Sequence, residues 1–384
     1  MRFDIAIIGG GLAGLALAVA LRGTRLSVAL VEGRRPRRPE GWDPRIYAIS
    51  PSNASFLSGL GIWDRLETAR MQRVAAMEIF GDAGGRLDFS AYATGVAELA
   101  WILEGSLMQQ ELWETATRQA GLQVICPAAP AALAFRPDCA RLELDDGQVL
   151  EAALVVGADG ADSWTRAAAG IQVQFLPYGQ SGVVANFACE RDHQGTAWQW
   201  FREDGILAWL PLPGKRMSMV WSAPEALGRE LQDLTSGELC RRVAEAGGHR
   251  LGSLELITPA AGFPLRLMRP PRRVGPRLAL VGDAAHAIHP LSGHGINLGF
   301  QDVRVLAAVL AEKPAHVDAG DERWLRRYER ARSEEIVALQ SVTHGLQRLF
   351  APRHPALSLL RNTGLNLTNR LPVLRDALVR YALG

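Results

Sequence analysis

Residues 3–14 read FDIAIIGGGLAG, and this stretch decides the fold. Its apolar start, Phe3–Ile8, predicts a short buried strand, and the glycines that follow predict a tight turn into a helix. Gly9, Gly11 and Gly14 have the spacing G-x-G-x-x-G. The first glycine allows the turn, the second lets backbone amides approach a pyrophosphate, and the third lets helix and strand pack closely. The stretch therefore predicts a Rossmann-like dinucleotide-binding unit.

An acidic residue follows at the distance that such a unit requires. Residues 26–31 (LSVALV) predict a second buried strand, and Glu32 comes directly after it, 18 positions beyond Gly14. A carboxylate at this place accepts hydrogen bonds from a ribose 2′-hydroxyl and repels a 2′-phosphate. The motif alone does not separate NAD from FAD, because both contain adenosine diphosphate.

Composition excludes several classes of protein. The chain has 384 residues, 48% hydrophobic and 21% charged, with a net charge of +2, which predicts one large interleaved domain or two and no nucleic-acid partner. The uncharged run Ile5–Leu21 holds four glycines, so we interpret it as strand and helix rather than as a signal peptide or membrane span. Four cysteines without a CxxC pair predict a reduced, cytoplasmic protein: Cys126, Cys139, Cys189 and Cys240.

Two later motifs identify the cofactor. Residues 153–166 read ALVVGADGADSWTR, and residues 278–302 read LALVGDAAHAIHPLSGHGINLGFQD; each begins with a buried strand that runs into a glycine turn. With the first motif, they resemble the group A flavoprotein aromatic hydroxylases, whose fold is typified by para-hydroxybenzoate hydroxylase. The resemblance implies an α/β (α+β, two-domain) fold: a discontinuous Rossmann-like FAD-binding domain with an inserted antiparallel β-sheet and C-terminal helices.

The resemblance also implies tightly but non-covalently bound FAD, with NAD(P)H as electron donor and O2 as co-substrate. In that family the Gly282–Asp283 pair holds the ribitol chain, and Asp159 with Gly160 serves both FAD and NAD(P)H binding. A helix that begins near Gly295 aims backbone amides at the N1–C2 edge of the flavin, where its dipole stabilises the anionic reduced ring. The implied cofactor-binding residues are Gly9, Gly11, Gly14, Glu32, Arg45, Asp159, Gly160, Gly282, Asp283, Gly295, Ile296 and Asn297.

Three further segments are similar to the ubiquinone-biosynthesis hydroxylases. Residues 42–52 (WDPRIYAISPS) match their Arg-x-x-Ala-[LI]-Ser stretch, which includes Arg45, and residues 101–114 (WILEGSLMQQELWE) match a second segment. Residues 345–384 follow the closing pattern of that family almost throughout. Two positions depart from it: His294 replaces a glutamine, and Gly105 stands where Asn or Arg is common. These departures leave the position of hydroxylation open.

The implied function is a monooxygenase that hydroxylates the ring of a polyprenylated phenol in ubiquinone biosynthesis, through a C4a-hydroperoxyflavin. Two alternatives stay open: the same chemistry on a soluble aromatic acid, and a non-catalytic flavin-binding subunit of a quinone-biosynthesis complex. Pro290 is the candidate for the oxygen-capture side, and His294 is a candidate proton relay, with simple filling of the glutamine's space as its alternative. His286 and His289 lack a third ligand nearby, so no metal site is predicted.

We expect the FAD-binding domain to comprise residues 1–73, 98–170 and 273–384, and the substrate domain to comprise residues 74–97 and 171–272. The substrate domain carries alternating, tryptophan-rich stretches that predict antiparallel strands above the flavin. Its tryptophans either contact substrate or fill the core; they are Trp198, Trp200, Trp209 and Trp221.

The last 44 residues, 341–384, contain six arginines and one acid, a formal charge of +5. Leu357, Leu360, Leu371, Leu374 and Leu378 recur there at helical spacing. A basic amphipathic segment either lies on an anionic membrane at the inner face or packs as a helix on the flavin domain, and the sequence supports both interpretations.

Overall fold

A computed structural model describes residues 1–287, 295–350, 355–371 and 376. In chain order its strands are β1 (Arg2–Ile8), β2 (Val28–Val31), β3 (Ile46–Ile49), β4 (Gln72–Val74), β5 (Ala76–Phe80), β6 (Arg86–Ser90), β7 (Ala100–Glu104), β8 (Leu122–Ile125), β9 (Pro130–Phe135), β10 (Ala140–Leu144), β11 (Val149–Gly157), β12 (Phe175–Cys189), β13 (Thr196–Arg202), β14 (Gly205–Leu212), β15 (Arg216–Pro224), β16 (Leu254–Leu256), β17 (Ala261–Met268), β18 (Val274–Gly275) and β19 (Leu278–Leu280). The α-helices are α1 (Leu12–Ala20), α2 (Pro51–Gly59), α3 (Ala91–Thr94), α4 (Gly105–Thr117), α5 (Trp164–Ala168), α6 (Glu225–Asp233), α7 (Ser236–Ala246), α8 (Gly295–Ala311), α9 (Glu322–Phe350) and α10 (Pro355–Arg370).

The first sheet is built on parallel strands in the order β19-β11-β1-β2-β8, and β9, β10 and β18 extend it by antiparallel pairing. Strands that are covered on both faces are apolar throughout, as in the IAII of β1 and the VALV of β2. Helices α1, α4, α8 and α9 pack against this sheet or one another around fully buried Ile5, Leu15 and Leu30. The predicted Rossmann-like core is confirmed.

The second sheet has the order β16-β12-β15-β14-β13-β5-β6, with β17 also paired to β12. Its pairs are antiparallel except that β5 runs parallel to β13, which the sequence did not suggest. The predicted tryptophan-rich strands are β13, β14 and β15. Trp209 and Trp221 are fully buried in a cluster that also holds Leu231 of α6 and Leu239 of α7, so the structure favours core packing for these two side chains.

A small sheet, β3-β7-β4, lies between the two larger ones. Ile102 of β7 packs in one cluster with Ala197 of β13 and Leu212 of β14. Asn186 of β12 also donates from Nδ2 to the backbone oxygen of Asp43 at 2.9 Å. The second sheet is therefore fixed to the small sheet and to the segment that precedes β3.

Helix α10 lies along the outer edge of β6, where three asparagines satisfy the free backbone amides of the hairpin. Asn362 Oδ1 accepts from Gly85 N at 2.8 Å, Asn366 Oδ1 from Arg86 N at 2.9 Å, and Asn369 Oδ1 from Asp88 N at 3.0 Å. We call this set of residues the asparagine ladder. It covers an edge strand that would otherwise expose unpaired amides. Among the described residues, no helix combines the length and the apolar character that crossing a membrane would need.

Candidate functional site

The three glycine turns meet at one edge of the first sheet. Strands β1, β2, β11 and β19 are parallel, so their carboxyl ends lie side by side. Gly9 follows β1, Asp159 follows β11, and Gly282 follows β19. Ligands of open α/β sheets bind outside this edge, so the candidate site lies here.

The glycine loop after β1 is closely packed at two positions and open at one. Gly9 has a φ of +108°, and a Cβ there would lie 2.5 Å from the backbone oxygen of Ala158; a Cβ on Gly14 would lie 1.9 Å from the backbone oxygen of Gly9. A Cβ on Gly11 would meet nothing within 4 Å. Gly9 and Gly14 therefore bring strand and helix together, while Gly11 leaves free space before the first turn of α1.

Glu32 is held by the glycine loop itself. Its Oε2 accepts from the amide of Gly10, and its Oε1 accepts from the amide of Arg34 at 3.0 Å. These bonds fix the carboxylate at the end of β2, beside the loop. This is the place at which a ribose hydroxyl is expected.

The Asp159 carboxylate is used within its own turn. It accepts from the Ser163 hydroxyl at 2.5 Å and from the Thr165 amide and hydroxyl at 2.8 and 2.9 Å. Buried Arg166 then donates to the backbone oxygen of Ala284 at 3.0 Å, which joins this turn to the next one. Asp159 thus orders the backbone around Gly160, whose φ is +84°, rather than offering a free carboxylate.

The turn after β19 presents a carboxylate to the open edge. Gly282 has a φ of +59°, and the Asp283 side chain that follows is exposed to solvent. Loss of hydration among the surrounding atoms nevertheless raises the pKa of Asp283; the charge of Asp302 adds to this rise and His286 opposes it. We interpret this combination as a carboxylate at the base of a cleft, accessible but enclosed by protein on its other sides.

A buried network of charged side chains holds the turn that contains Gly282 and Asp283. Asp302 Oδ2 accepts from Gly282 N at 3.0 Å and from His286 Nε2 at 2.6 Å, and Oδ1 accepts from Arg332 Nε at 2.8 Å. Burial alone would raise the pKa of Asp302, but His286 and Arg332 outweigh it and lower the pKa. Sequence reasoning missed Asp302, although it ends the quoted motif, and missed Arg332, which is 30 residues further along.

The start of α8 lies at the open edge of the sheet, and the side chain of Asn297 holds it there. A Cβ on Gly295 would meet nothing within 4 Å, so the helix N-terminus opens into free space. Asn297 accepts from the Ser50 amide at 2.9 Å and donates to the backbone oxygen of Ala48 at 2.7 Å. Its side chain therefore clamps α8 to the segment after β3, while the partly buried Ile296 packs on the core.

Helix α4 brings another helix N-terminus to the site. Asp43 Oδ2 accepts from the Ser106 amide at 3.0 Å, and the Asp43 amide donates to Glu104, which is paired with Arg70 at 2.7 Å. Arg45 is exposed and lies 3.7 Å from Asp43, so its guanidinium is available at the surface. Asp43 and Glu104 each lie within a segment that resembles the family, but their contact with one another and with Arg70 could not be predicted, because the three residues are distant in sequence.

The residues at this edge fit an FAD molecule. Gly11, Gly160 and Gly295 are open where a phosphate or ring must approach closely, and exposed Asp283 can accept from the hydroxyls of a ribitol chain. Within the described residues no three His, Cys, Asp or Glu side chains are grouped as metal ligands. His286 is buried and is hydrogen-bonded to Asp302. Pro290, His294 and His289 lie outside the described residues.

Comparisons with known proteins agree with this fit. A family model described as "FAD binding domain" matches residues 2–342. The chain is 36% identical to the 3-demethoxyubiquinol 3-hydroxylase of Escherichia coli K12, over 99% of this chain and 98% of that protein. It is 34% identical to the ubiquinone hydroxylase UbiL of Rhodospirillum rubrum, over 99% and 89%. A crystal structure of a PqsL variant from P. aeruginosa superimposes with a TM-score of 0.80 at 25% identity, covering 95% of this chain and 99% of that one.

Proposed function

This chain belongs to the family of FAD-dependent monooxygenases that contains the ubiquinone-biosynthesis hydroxylases, and we propose that it hydroxylates the ring of a polyprenylated phenol in that pathway. The observation that carries the proposal is the meeting of three glycine turns and Asp283 at one sheet edge. The two relatives named for ubiquinol and ubiquinone hydroxylation match this chain along nearly its whole length, which supports the substrate class.

We assign the cofactor contacts as follows. The amides around Gly11 hold the pyrophosphate, Glu32 binds the adenosine ribose, and Asp283 accepts from the ribitol hydroxyls. The amides of Gly295, Ile296 and Asn297 face the flavin ring, and Arg45 provides a positive charge at the rim. Asp159 contributes indirectly, by ordering the backbone of the turn around Gly160. Gly9, Gly14, Gly160 and Gly282 give the backbone its shape. The roles of Pro290 and His294 stay predictions.

FAD, when bound, supplies the electron transfer from NAD(P)H and the activation of oxygen, so the chain itself needs no nucleophile. What the protein must do is hold the ring and exclude water. Helix α8 directs its N-terminal dipole toward the site, and this dipole favours negative charge there. Asp302, bonded to Gly282 and Arg332, keeps the turn that carries Asp283 in place.

We place the substrate ring against the face of the second sheet that is opposite Trp209 and Trp221. Val184, Val220 and Ala208 are direct register partners across β12, β15 and β14. Val220 and Ala208 are half-buried, unlike the fully buried tryptophans, and Asn186 on the same face bonds the Asp43 backbone. This apolar patch faces the small sheet and suits an aromatic ring with an apolar chain.

Complementation tests the assignment. The chain is expressed in bacterial hosts that each lack one ubiquinone ring hydroxylase, and quinone intermediates are measured by mass spectrometry. We expect one intermediate to disappear and ubiquinone to return, which identifies the ring carbon. An Asp283→Asn variant is the matched control and should restore nothing, because its ribitol contact is weakened. If the chain is well expressed but restores ubiquinone synthesis in none of the hosts, the proposal is overturned.

The two alternatives predict other results. Turnover of para-hydroxybenzoate by the purified protein, without complementation, would favour a soluble aromatic acid as substrate. Tight FAD binding with neither NAD(P)H oxidation nor complementation would favour a non-catalytic subunit of a quinone-biosynthesis complex. Full-length similarity to named hydroxylases is the reason to prefer the enzyme.

We propose the domain division 1–73, 98–170 and 273–384 for FAD, with 74–97 and 171–272 for substrate. The strand memberships support it, but the helix at its C-terminal end does not: α10 packs on β6 of the second sheet, whereas one of the two interpretations of the sequence placed it on the flavin domain. Strands β5 and β6 and strands β12 to β17 form the second sheet, whereas β1, β2, β8 to β11, β18 and β19 form the first. Separate buried clusters fill the two sheets.

We also propose that α10 contacts an anionic membrane surface from the cytoplasmic side. The asparagine ladder fixes one face of the helix, and at 100° per residue Leu360 and Leu367 lie on the opposite face, with Leu371 directly after the helix. These leucines are 64%, 56% and 45% exposed. Arg361 is paired with Asp82, so the positive charge that a membrane could contact is smaller than the formal +5. Exposed Arg370 flanks the leucines.

Vesicle sedimentation tests this surface. Wild type should bind vesicles that contain phosphatidylglycerol and bind pure phosphatidylcholine less well. Leu367→Ser should weaken binding about tenfold, because it removes the free energy gained when one leucine side chain leaves water. Leu176→Ser removes a side chain of similar exposure, 51%, from β12 and should change little. Equal losses in the two variants, or no binding by wild type, would contradict the proposal.

A further inference from the structure

Tyr47 and Gly105 share one space at the edge of the cofactor site. Tyr47 lies in β3, opposite Leu103 of β7, and β7 leads directly into α4 at Gly105. A Cβ on Gly105 would lie 2.7 Å from Cε2 of Tyr47 and 3.2 Å from its Cδ2. Position 105 is therefore glycine because the tyrosine ring occupies the place of its side chain.

This space lies between two parts of the cofactor site. Gln109, one turn further along α4, donates to the backbone oxygen of Gly10 in the glycine loop at 2.8 Å. The ring thus packs on the end of α4 that adjoins the loop. Tyr47 is only half-buried, and no described residue hydrogen-bonds its hydroxyl.

We propose that Tyr47 is a cofactor-contact residue whose ring borders bound FAD, and that Gly105 is required because any side chain there would push this ring into the cofactor's space. The inference rests on the FAD binding proposed above but not on hydroxylation. It also explains why this chain departs from its family at position 105.

The electrostatic surroundings favour a neutral phenol. Burial raises the pKa of Tyr47, and the carboxylates of Asp283 and Asp43 raise it while Arg45 lowers it. The hydroxyl therefore keeps its proton at neutral pH and is a hydrogen-bond donor. A hydrogen-bond donor at this edge suits the hydroxyls of a ribitol chain or the polar edge of the flavin.

A double-mutant cycle tests the pair, with FAD affinity measured by fluorescence titration of the apoprotein. Gly105→Ala should weaken FAD binding at least tenfold when Tyr47 is present. In a Tyr47→Ser background the same change should cost less than threefold, because the methyl group then has room. Gly237→Ala in α7, where a Cβ meets nothing within 4 Å, should leave affinity unchanged.

A second readout detects the ring directly. Tyrosine beside a flavin quenches its fluorescence by electron transfer, so FAD bound to Tyr47→Ser should be at least twice as bright as FAD bound to wild type. Melting of each apoprotein shows whether a variant fails to fold. Equal effects of Gly105→Ala in both backgrounds, or unchanged fluorescence in a folded Tyr47→Ser variant, would overturn the proposal. Wild type that binds no FAD would instead overturn the cofactor assignment, and wild type that binds FAD without hydroxylating leaves this test intact.

Discussion

At the scale of single residues, the glycines of the first motif have different roles that spacing alone does not show. The added Cβ meets backbone at Gly14 and open space at Gly11. The first is thus a packing requirement of the fold, and we propose that the second is a requirement of the ligand. A pair of alanine substitutions separates them.

Gly14→Ala should lower the free energy of unfolding by about 3 kcal/mol, because its methyl group would lie 1.9 Å from a backbone oxygen. Gly11→Ala should change it by no more than about 1 kcal/mol, since the φ of −73° suits alanine, while weakening FAD binding at least tenfold. Urea unfolding and FAD titration measure the two effects. Similar stability losses in both variants would contradict this division of roles.

Asp302 is the residue on which the Gly282 turn depends. Asp302→Asn leaves Arg332 buried with one less counter-charge, and we expect a loss of about 3–5 kcal/mol in urea unfolding at pH 7. Glu335→Gln removes the second carboxylate that pairs with Arg332; the Glu335 side chain is 39% exposed, and its loss should cost about 1 kcal/mol or less. A small effect of Asp302→Asn would mean that the network does not support the turn.

At the scale of elements, the sequence predicted the parts with local signals. The apolar strands, the glycine turns and the tryptophan-rich strands are all found, because each pattern lies within about ten residues. The parallel β5–β13 pair and the asparagine ladder were not foreseen, since each joins segments far apart in the chain. Asparagine is also a weak helix former, so the sequence of residues 362–369 gives no sign that these asparagines attach the helix to a strand.

The ladder should hold α10 in place. Replacing Asn366 and Asn369 with alanine leaves the amides of Arg86 and Asp88 without their partners, so their hydrogen exchange should become at least tenfold faster. Thr363→Ala, on an exposed position of the same helix, should leave both rates unchanged. Unchanged exchange in the double variant would show that α10 is held by other contacts.

At the scale of the whole molecule, the buried and paired carboxylates give stability a defined pH dependence. Burial opposes the lowering of the Asp302 pKa, but His286 and Arg332 prevail, and the bond to Arg361 lowers the pKa of Asp82. A carboxyl whose folded pKa lies below its unfolded value of about 3.9 stabilises the protein above that pH. This contribution is lost as the pH falls through the folded pKa.

Stability should therefore change little between pH 7 and 5 from these groups and fall steeply below about pH 4. The difference in unfolding free energy between wild type and Asp302→Asn should shrink over the same acid range, because protonation removes the charge that the variant lacks. Urea unfolding at pH 7, 5, 4 and 3 measures this. A difference that stays constant with pH would contradict the assigned direction of the shift.

The order in which the cofactor edge is built along the chain limits when FAD can be captured during synthesis. Its described parts come from residues 9–14, 157–160, 282–287 and 295–297, so a nascent chain that ends before residue 282 lacks Asp283 and the start of α8. Strand β19 can pair with β11 only after it has left the ribosome, and by then the residues of α8 that follow it have already been synthesised. We expect ribosome-bound chains stopped at residue 270 to retain no FAD, whereas chains that expose residue 350 do. Cofactor supply then acts on an almost finished polypeptide, and premature termination products are colourless.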